Sequence, residues 1–313
     1  MKRPPDQGPG DLNVSRAVTT ASLTRDEPRA AMLAAVTTML LWSSGNVLAK
    51  YVSLPGVQLA FYRIVVGAAV YAAVLTVTGG RLTWRTIRLA LPGAVAFSLD
   101  ICIFFTAIKW TTVANATVIA ALQPILLLFV AERLFGEKLN PRTVALIAVT
   151  LAGVTLVVFG STGSPVWSPS GDALAFVATV VWAWYFVASK KARNHLGAIE
   201  YQTAVLVIGP FIVLPLALLS EGGLARPSAS ELGLVAVMAL VPGTGHLLMN
   251  WAHAYLPITL TSTLTLSLPV LSTIGAALVL GEAVVAWQLV GMAVVIAGLA
   301  LLIRIDAPTI DPA

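Results

Sequence analysis

Two ionisable residues lie in the middle of long apolar runs, where water would not reach them unless the fold provides it. Asp100 stands within Phe97–Cys102, and His246 stands between Gly245 and Leu247. A charged group at the centre of a membrane helix costs roughly 2.5–3.5 kcal/mol on insertion scales, so it is expected to face a partner or water. Asp100 therefore suits binding of a proton, a cation or a substrate amine.

Each of these residues also has a structural alternative. The 1.5 Å rise per helical residue places Arg63 and Asp100 at depths about 3 Å apart, so they could form an ion pair. Histidine changes charge near neutral pH, which suits proton coupling, but His246 could instead donate to a backbone carbonyl of a neighbouring helix. Asp100, His246 and Arg63 are our candidates for ion or proton coupling.

Aromatic and amide side chains placed deep in apolar runs are the further candidates for a substrate cavity. Deep aromatic residues either fill a core or line a pocket, and amides either bind substrate or join helices. The predicted cavity residues are Trp42, Asn46, Asp100, Asn115, Trp182, Tyr185, His246 and Asn250. For Asn115 the helix-joining role is slightly favoured.

The elements that position these residues are membrane helices. The 313-residue chain is 58% hydrophobic and 11% charged, whereas a soluble domain carries about a quarter charged residues. A helix needs about 20 apolar residues to cross a bilayer. Ten such runs occur, at about 31–51, 57–78, 89–109, 112–131, 142–160, 171–189, 199–219, 232–254, 259–280 and 286–303.

The distribution of basic residues predicts the orientation. With the N-terminus in the cytoplasm, cytoplasmic segments hold 15 of the 19 Lys and Arg residues, outer segments hold three, and Arg63 lies within a span. Basic residues concentrate in cytoplasmic loops. We therefore expect both termini in the cytoplasm, and the net charge of +5 indicates membrane orientation rather than nucleic-acid binding.

An internal repeat organises the chain. Residues 107–155 align without a gap on residues 252–300, a shift of 145, with ten identities in 49 positions. At a shift of 140, Trp42 and Lys50 fall on Trp182 and Lys190. Ten spans divide into five and five, and an odd number per half inverts the second copy across the membrane.

The repeat gives a domain layout and a set of structural residues. We expect a disordered tail at 1–29, repeat 1 at 30–160, repeat 2 at 168–304 and a short tail at 305–313. Mid-span prolines should bend helices four and nine, and the acids that follow glycine should act as caps. The structural residues are Pro124, Gly136, Glu137, Pro269, Gly281 and Glu282. Gly153 and Gly298 should pack closely, and a homodimer contact there is left open.

With these residues in view, the sequence resembles the EamA family of the drug/metabolite transporter superfamily. The resemblance covers about residues 31–304. It is carried by the two helix–Pro–helix–Gly–Glu–helix blocks and by the arginine in Leu59–Arg63. It implies an all-α integral membrane protein with ten transmembrane helices as two inverted five-helix repeats. It also implies a cavity lined by helices 1, 3, 4, 6, 8 and 9. The cavity positions lack the several Lys or Arg of the superfamily's phosphate-sugar antiporters, which disfavours a phosphorylated substrate.

The resemblance implies a secondary transporter, often an exporter of amino acids or other small metabolites, working by alternating access in a bacterial inner membrane. The expected partners are a small-molecule substrate and the lipid bilayer. The chain has no GxxxxGK[ST], HExxH or GxSxG motif, and Cys102 is its one cysteine, so we expect no cofactor, no metal and no catalytic residue. The alternatives are a membrane-embedded lipid-modifying enzyme, which lacks a plausible nucleophile here, and a non-transporting sensor.

Overall fold

The structure is a computed structural model and describes residues 26–49, 51–111, 113–138, 140–162, 168–220, 223–281 and 283–310. Every regular element in these ranges is a helix. The helices are α1 (Asp26–Ala49), α2 (Gly56–Val77), α3 (Trp84–Trp110), α4 (Val113–Ala120), α5 (Gln123–Phe135), α6 (Pro141–Thr162), α7 (Pro169–Arg193), α8 (Ala198–Leu219), α9 (Ala229–Ala252), α10 (Ile258–Leu264), α11 (Leu268–Leu280) and α12 (Ala286–Ile310).

These helices correspond to the ten apolar runs. Within the described ranges, nine spans have the length and hydropathy needed to cross a membrane, with α4–α5 and α10–α11 each counted as one span. Helix α1 is the tenth span of this length among the described residues. It has 24 residues, so it is about 36 Å long at 1.5 Å per residue. The chain is therefore an all-helical, multi-pass membrane protein, as expected.

The first and last helices are longer than the apolar pattern predicts. Helix α1 begins at Asp26 and α12 continues to Ile310, so helix replaces parts of the tails predicted at 1–29 and 305–313. Apolar runs mark the part of a helix that meets lipid, and a helix can continue beyond it into polar sequence. Residues 1–25 and 311–313 lie outside the described residues.

Two spans are broken at equivalent places. Helices α4 and α5 are separated by a turn at residues 121–122, just before Pro124, and a 3₁₀ turn, Thr265–Ser267, separates α10 from α11 just before Pro269. Proline has no N–H to continue the helical ladder, which favours a break there. The two breaks meet, since the Thr265 hydroxyl donates to Gln123 Oε1 at 3.3 Å.

Glycine ends the helix after each break. Gly136 follows α5 and Gly281 follows α11, and both adopt the left-handed conformation with φ of 69°. Glycine takes this conformation without the steric penalty of a Cβ atom. The same break and the same cap therefore recur 145 residues apart.

Helix pairing also follows the repeat. The most extensive contacts join α3 to α7, α6 to α12, α1 to α9 and α2 to α8. We exchange each of the first five spans with the span at the same place in the second half. This exchange turns the α3–α7 pair into the α9–α1 pair, and it leaves the α6–α12 and α2–α8 pairs unchanged. Two halves related by a two-fold axis produce this pattern. It supports the repeat, while inversion of the second half across a bilayer stays a prediction.

Small residues let the last helices of the two halves meet closely. A Cβ atom on Gly153 would lie 3.0 Å from the Gly291 carbonyl oxygen, and one on Gly298 would lie 2.2 Å from Thr150 Oγ1. Such close approach favours helix packing in lipid. Gly153 and Gly298 therefore pack against the other half within the chain, and a homodimer stays a prediction.

Candidate functional site

Six side chains from five helices meet in the middle of the bundle, and we call them the central cluster. They are Trp42 of α1, Arg63 of α2, Phe97 of α3, Trp182 and Tyr185 of α7, and His246 of α9. The His246 ring is at their centre, with ring-centroid distances of 4.8 Å to Trp42, 5.0 Å to Phe97, 6.1 Å to Trp182 and 6.3 Å to Tyr185. Both halves of the chain thus contribute to one aromatic enclosure.

Close packing of α1 on α9 positions Trp42 beside His246. A Cβ atom on Gly245 would lie 2.9 Å from Trp42 Cδ1, and one on Gly45 would lie 2.9 Å from Pro242 Cγ. Thr38 Oγ1 donates to the Gly245 carbonyl at 3.0 Å across the same contact. Helix α9 is continuous through Pro242 and packs closely on α1 at this contact.

Arg63 lies against His246, with Nη2 3.4 Å from Nε2. A guanidinium can only donate, so Nε2 accepts and the neutral ring carries its proton on Nδ1. Within the described part of the chain, neither His246 Nδ1 nor Trp42 Nε1 has a hydrogen-bond partner, although both atoms are buried. Buried N–H groups are rarely left unpaired in proteins, so these two groups keep donor capacity that no described residue uses.

A small void adjoins Arg63 and His246. It measures about 10 Å³ and is lined by Arg63, Phe97, Gln202, Gly243 and His246, among others. That volume accommodates about one water molecule. The central cluster is therefore closed to anything larger in this conformation.

A larger cleft of about 440 Å³ lies between α1 and α11. Its polar groups include Ser43 and Ser44, whose hydroxyls donate to carbonyls of their own helix at 2.9 and 2.7 Å. No charged residue lines it among the residues that the structure describes. Its apolar walls suit lipid chains, so the central cluster is the better candidate for recognition of a polar solute.

Asp100 stands apart from Arg63. The side chain is partly buried on α3, and no ion pair within 4.0 Å joins these two described residues. Arg63 lies against His246 instead. The structural alternative for Asp100, an ion pair with Arg63, is therefore absent from this conformation, and its role in coupling or amine binding stays a prediction.

Asn250 is hydrogen-bonded to three neighbouring side chains. Its Oδ1 accepts from Tyr185 Oη at 3.1 Å and from Ser189 Oγ at 2.7 Å, and its Nδ2 donates to Gln202 Oε1 at 2.7 Å. The network continues from Ser189 to His253 Nδ1 at 2.9 Å. Asn250 therefore joins α7, α8 and α9 and holds Tyr185 in the central cluster.

Asn115 lies away from the central cluster, at the start of α7. Its Nδ2 is 3.1 and 3.3 Å from the two carboxylate oxygens of Asp172, which also accepts from Thr111 Oγ1 at 2.5 Å. This position matches the helix-joining alternative. The side chain of Asn46 and all of Glu282 lie outside the described residues.

Glu137 forms a polar contact between the halves, which we call the Glu137 junction. Its carboxylate accepts from the backbone N–H groups of Ile258 at 2.6 Å and Thr259 at 3.0 Å, and from Thr259 Oγ1 at 2.7 Å. Lys190 Nζ lies 3.7 Å from Glu137 Oε1 and donates to the Leu256 carbonyl at 2.5 Å. We expected a cap, and here Glu137 caps the N-terminus of α10 in the other half rather than its own helix.

His253 lies close to the junction, in the turn between α9 and α10. It is 1% exposed. Burial, followed by the positive charges of Lys190 and Arg193, lowers the pKa of His253 well below its ordinary value. The site residues predicted from the sequence did not include Lys190, Gln202, Ser189 and His253. One signal was present, because Lys190 and Glu137 both recur in the other half, as Lys50 and Glu282.

The protein is a membrane helix bundle with a closed polar centre. Comparison with known proteins identifies its family. The model of the EamA-like transporter family matches residues 29–159 and again residues 169–304. The chain belongs to the EamA-like transporter family. One family model matching each half agrees with the repeat in the sequence and with the resemblance.

Named relatives of this EamA protein are transporters. An uncharacterized transporter of Clostridium kluyveri is 26% identical over 276 residues, covering 82% of this chain and 86% of the relative. The pseudopaline exporter CntI of Pseudomonas aeruginosa is 22% identical over 231 residues, covering 72% and 79%. The chain is therefore a membrane transporter and not an enzyme.

A solved crystal structure supports the fold. It superposes with a TM-score of 0.77 and 23% sequence identity, covering 90% of this EamA chain and 99% of the other. Within the described residues, no group of three or more His, Cys, Asp or Glu is placed to hold a metal ion. Cys102 is buried.

Proposed function

We propose that this EamA protein is a secondary active transporter that exports small metabolites, such as amino acids, by alternating access. The observation that carries the proposal is the Arg63–His246 pair, closed inside an apolar bundle with unpaired N–H groups beside it. Polar groups at this depth are costly and usually mark a solute path. Export is favoured because the Pseudomonas relative is named an exporter.

The aromatic members of the central cluster favour a partly apolar solute. Trp182 stacks on Tyr185 with centroids 5.1 Å apart and meets Trp42 edge-on at 5.6 Å. Rings arranged in this way can cover the apolar body of a small molecule. Asp100 would receive a proton or the amine of that molecule, and His246 would take part in proton coupling.

The distribution of Lys and Arg supports a bacterial inner membrane location with both termini in the cytoplasm. Under this orientation, the Glu137 junction lies on the cytoplasmic side. Reporter fusions at each terminus test the proposal. Termini on opposite faces of the membrane would contradict it, because ten spans return the chain to the starting side.

Solute flux in proteoliposomes tests the function. Purified protein is reconstituted alone, and efflux of labelled amino acids and of small organic amines is followed with and without an imposed pH gradient. We expect flux without a second protein, without covalent change of the solute, and faster with a proton gradient. Covalent turnover of a lipid would instead indicate an enzyme.

The roles of Asp100 and His246 are tested in the same assay. Asp100→Asn and His246→Asn should remove or shift the pH dependence of flux, because each substitution removes a titrating group. Asp172→Asn is a control at an acid that is already bonded to Asn115 and Thr111. Unchanged flux and an unchanged pH profile in both test variants would contradict the proposed coupling.

A further inference from the structure

Arg63 brings hydrogen-bond donors and a positive charge into the central cluster. An arginine guanidinium has five N–H groups and no acceptor, and it carries its positive charge throughout the physiological range. Its hydrogen-bond partner among the described residues is a ring nitrogen of His246. The N–H groups of His246 Nδ1 and Trp42 Nε1 have no partner there. The central cluster thus offers donors and one positive charge.

The other cations inside the bundle are paired differently. Lys190 donates to the Leu256 carbonyl and lies beside the Glu137 carboxylate. Arg193 donates from Nε to the Asn250 carbonyl at 2.9 Å and from Nη1 to the Leu196 carbonyl. Both therefore have oxygen acceptors, which satisfy buried cations well. No ion pair within 4.0 Å joins Arg63 to an acid among the residues described.

We infer that Arg63, together with His246, is the carboxylate-binding end of the solute site. The inference rests on the proposed transport function and adds the chemical class of the solute, a small carboxylate with an apolar or aromatic body. A carboxylate can accept two parallel hydrogen bonds from a guanidinium, which gives both energy and orientation. The rings of Phe97, Trp182 and Tyr185 supply the apolar wall.

The closed void lies at the place to which this inference assigns the carboxylate. It lies at Arg63 and His246 but holds about one water molecule. A carboxylate that binds there replaces His246 Nε2 as the acceptor for Arg63, and the His246 ring moves aside. Gly67 and Gly243 line the same void and contribute backbone to its wall.

Ligand binding to the detergent-purified full chain tests the inference. The probes are 3-phenylpropionate, its amide 3-phenylpropionamide and the amine 2-phenylethylamine, which share a ring and differ in the polar group. Thermal stabilisation and tryptophan fluorescence are measured for each, since Trp42 and Trp182 are next to the site. We expect the carboxylate to stabilise the protein and change the emission, and the amide and amine to do neither.

Variants assign the effect to Arg63. In Arg63→Gln, binding of 3-phenylpropionate should weaken by about tenfold or more, because removal of one partner of a desolvated charged pair is costly. Arg63→Lys keeps the charge and loses the paired geometry, so its affinity should be intermediate. Arg88→Gln, at an exposed position on α3, is the matched control and should bind as the parent chain does.

The outcomes decide between the inference and a purely structural Arg63. Equal binding of the acid and the amide, or full binding in both Arg63 variants, would overturn it. If Arg63→Gln does not fold, the acid–amide comparison on the parent chain and the Arg63→Lys affinity still decide.

The proposed function can fail separately from the inference. Carboxylate binding that depends on Arg63, with no flux of any solute, would contradict transport and keep the subsite. Flux of the amine that is unchanged in Arg63→Lys would contradict the carboxylate subsite, and it would agree with the proposed transport function.

Discussion

The central cluster and the Glu137 junction both join the two halves of the chain, yet they differ in how many of their polar groups have hydrogen-bond partners. At the junction, Glu137 accepts three hydrogen bonds and faces Lys190. In the central cluster, His246 Nδ1 and Trp42 Nε1 have no partner among the described residues. A fully paired buried network stabilises a fold, whereas a partly paired one costs stability. The junction therefore stabilises this conformation, and the central cluster is where we propose that a solute binds.

The largest expected effect on stability is at the Glu137 junction. Glu137→Ala leaves two backbone N–H groups of α10 and the Lys190 ammonium without their carboxylate, so the free energy of unfolding should fall by about 2–4 kcal/mol. Thermal unfolding in detergent measures it. Glu132→Ala, at an exposed position one turn earlier on α5, is the control. Equal losses in the two variants would show that the junction contributes little.

The next largest effect on stability is expected from the packing of the central cluster. Gly245→Ala places a methyl group 2.9 Å from Trp42 Cδ1, which should cost about 1–3 kcal/mol of stability by overpacking and change the tryptophan emission. Gly233→Ala is the control on the same helix, since its Cβ would have no neighbour within 4 Å. That control should gain up to about 1 kcal/mol from helix propensity. A stable Gly245→Ala with unchanged emission would contradict the close contact.

The pH dependence of stability should come partly from His253. Its pKa is lowered by burial and then by Lys190 and Arg193, so the folded chain keeps the ring neutral while the unfolded chain takes up a proton below about pH 6.5. Stability should therefore fall as the pH drops below about 6.5, by up to about 1.4 kcal/mol per pH unit.

His253→Gln should flatten this part of the profile, measured as the midpoint of thermal unfolding between pH 7.5 and pH 5. His195→Gln, at an exposed position, serves for comparison. If the slope of His253→Gln equals that of the parent chain, another group causes the acid sensitivity.

The smallest effect on stability is expected at Asp100. No hydrogen bond or ion pair joins Asp100 to another described side chain, so Asp100→Asn should change the free energy of unfolding by less than about 0.5 kcal/mol or raise it. Glu137→Gln makes the same carboxylate-to-amide change at a paired acid and should cost more. Equal losses at the two acids would remove the contrast between paired and unpaired regions.

Much of the architecture follows from local sequence. Apolar runs predict the spans, Pro124 and Pro269 mark the breaks, and Gly136 and Gly281 provide the left-handed ends. Each of these depends on hydropathy or backbone geometry within a few residues, which a sequence displays directly. The twofold match of the family model agrees with the repeat found by aligning the chain on itself.

The partners of the polar residues were decided by the tertiary structure. Arg63 lies against His246 instead of Asp100, Glu137 caps α10 across the halves, and Asn250 joins three helices. In lipid, apolar surface does not select which helix lies next to which, so close contacts at glycine and polar pairing between distant segments make that choice. Those contacts join residues that are far apart in the chain, and for that reason the sequence alone determined the helices and the repeat but not the site that the helices build.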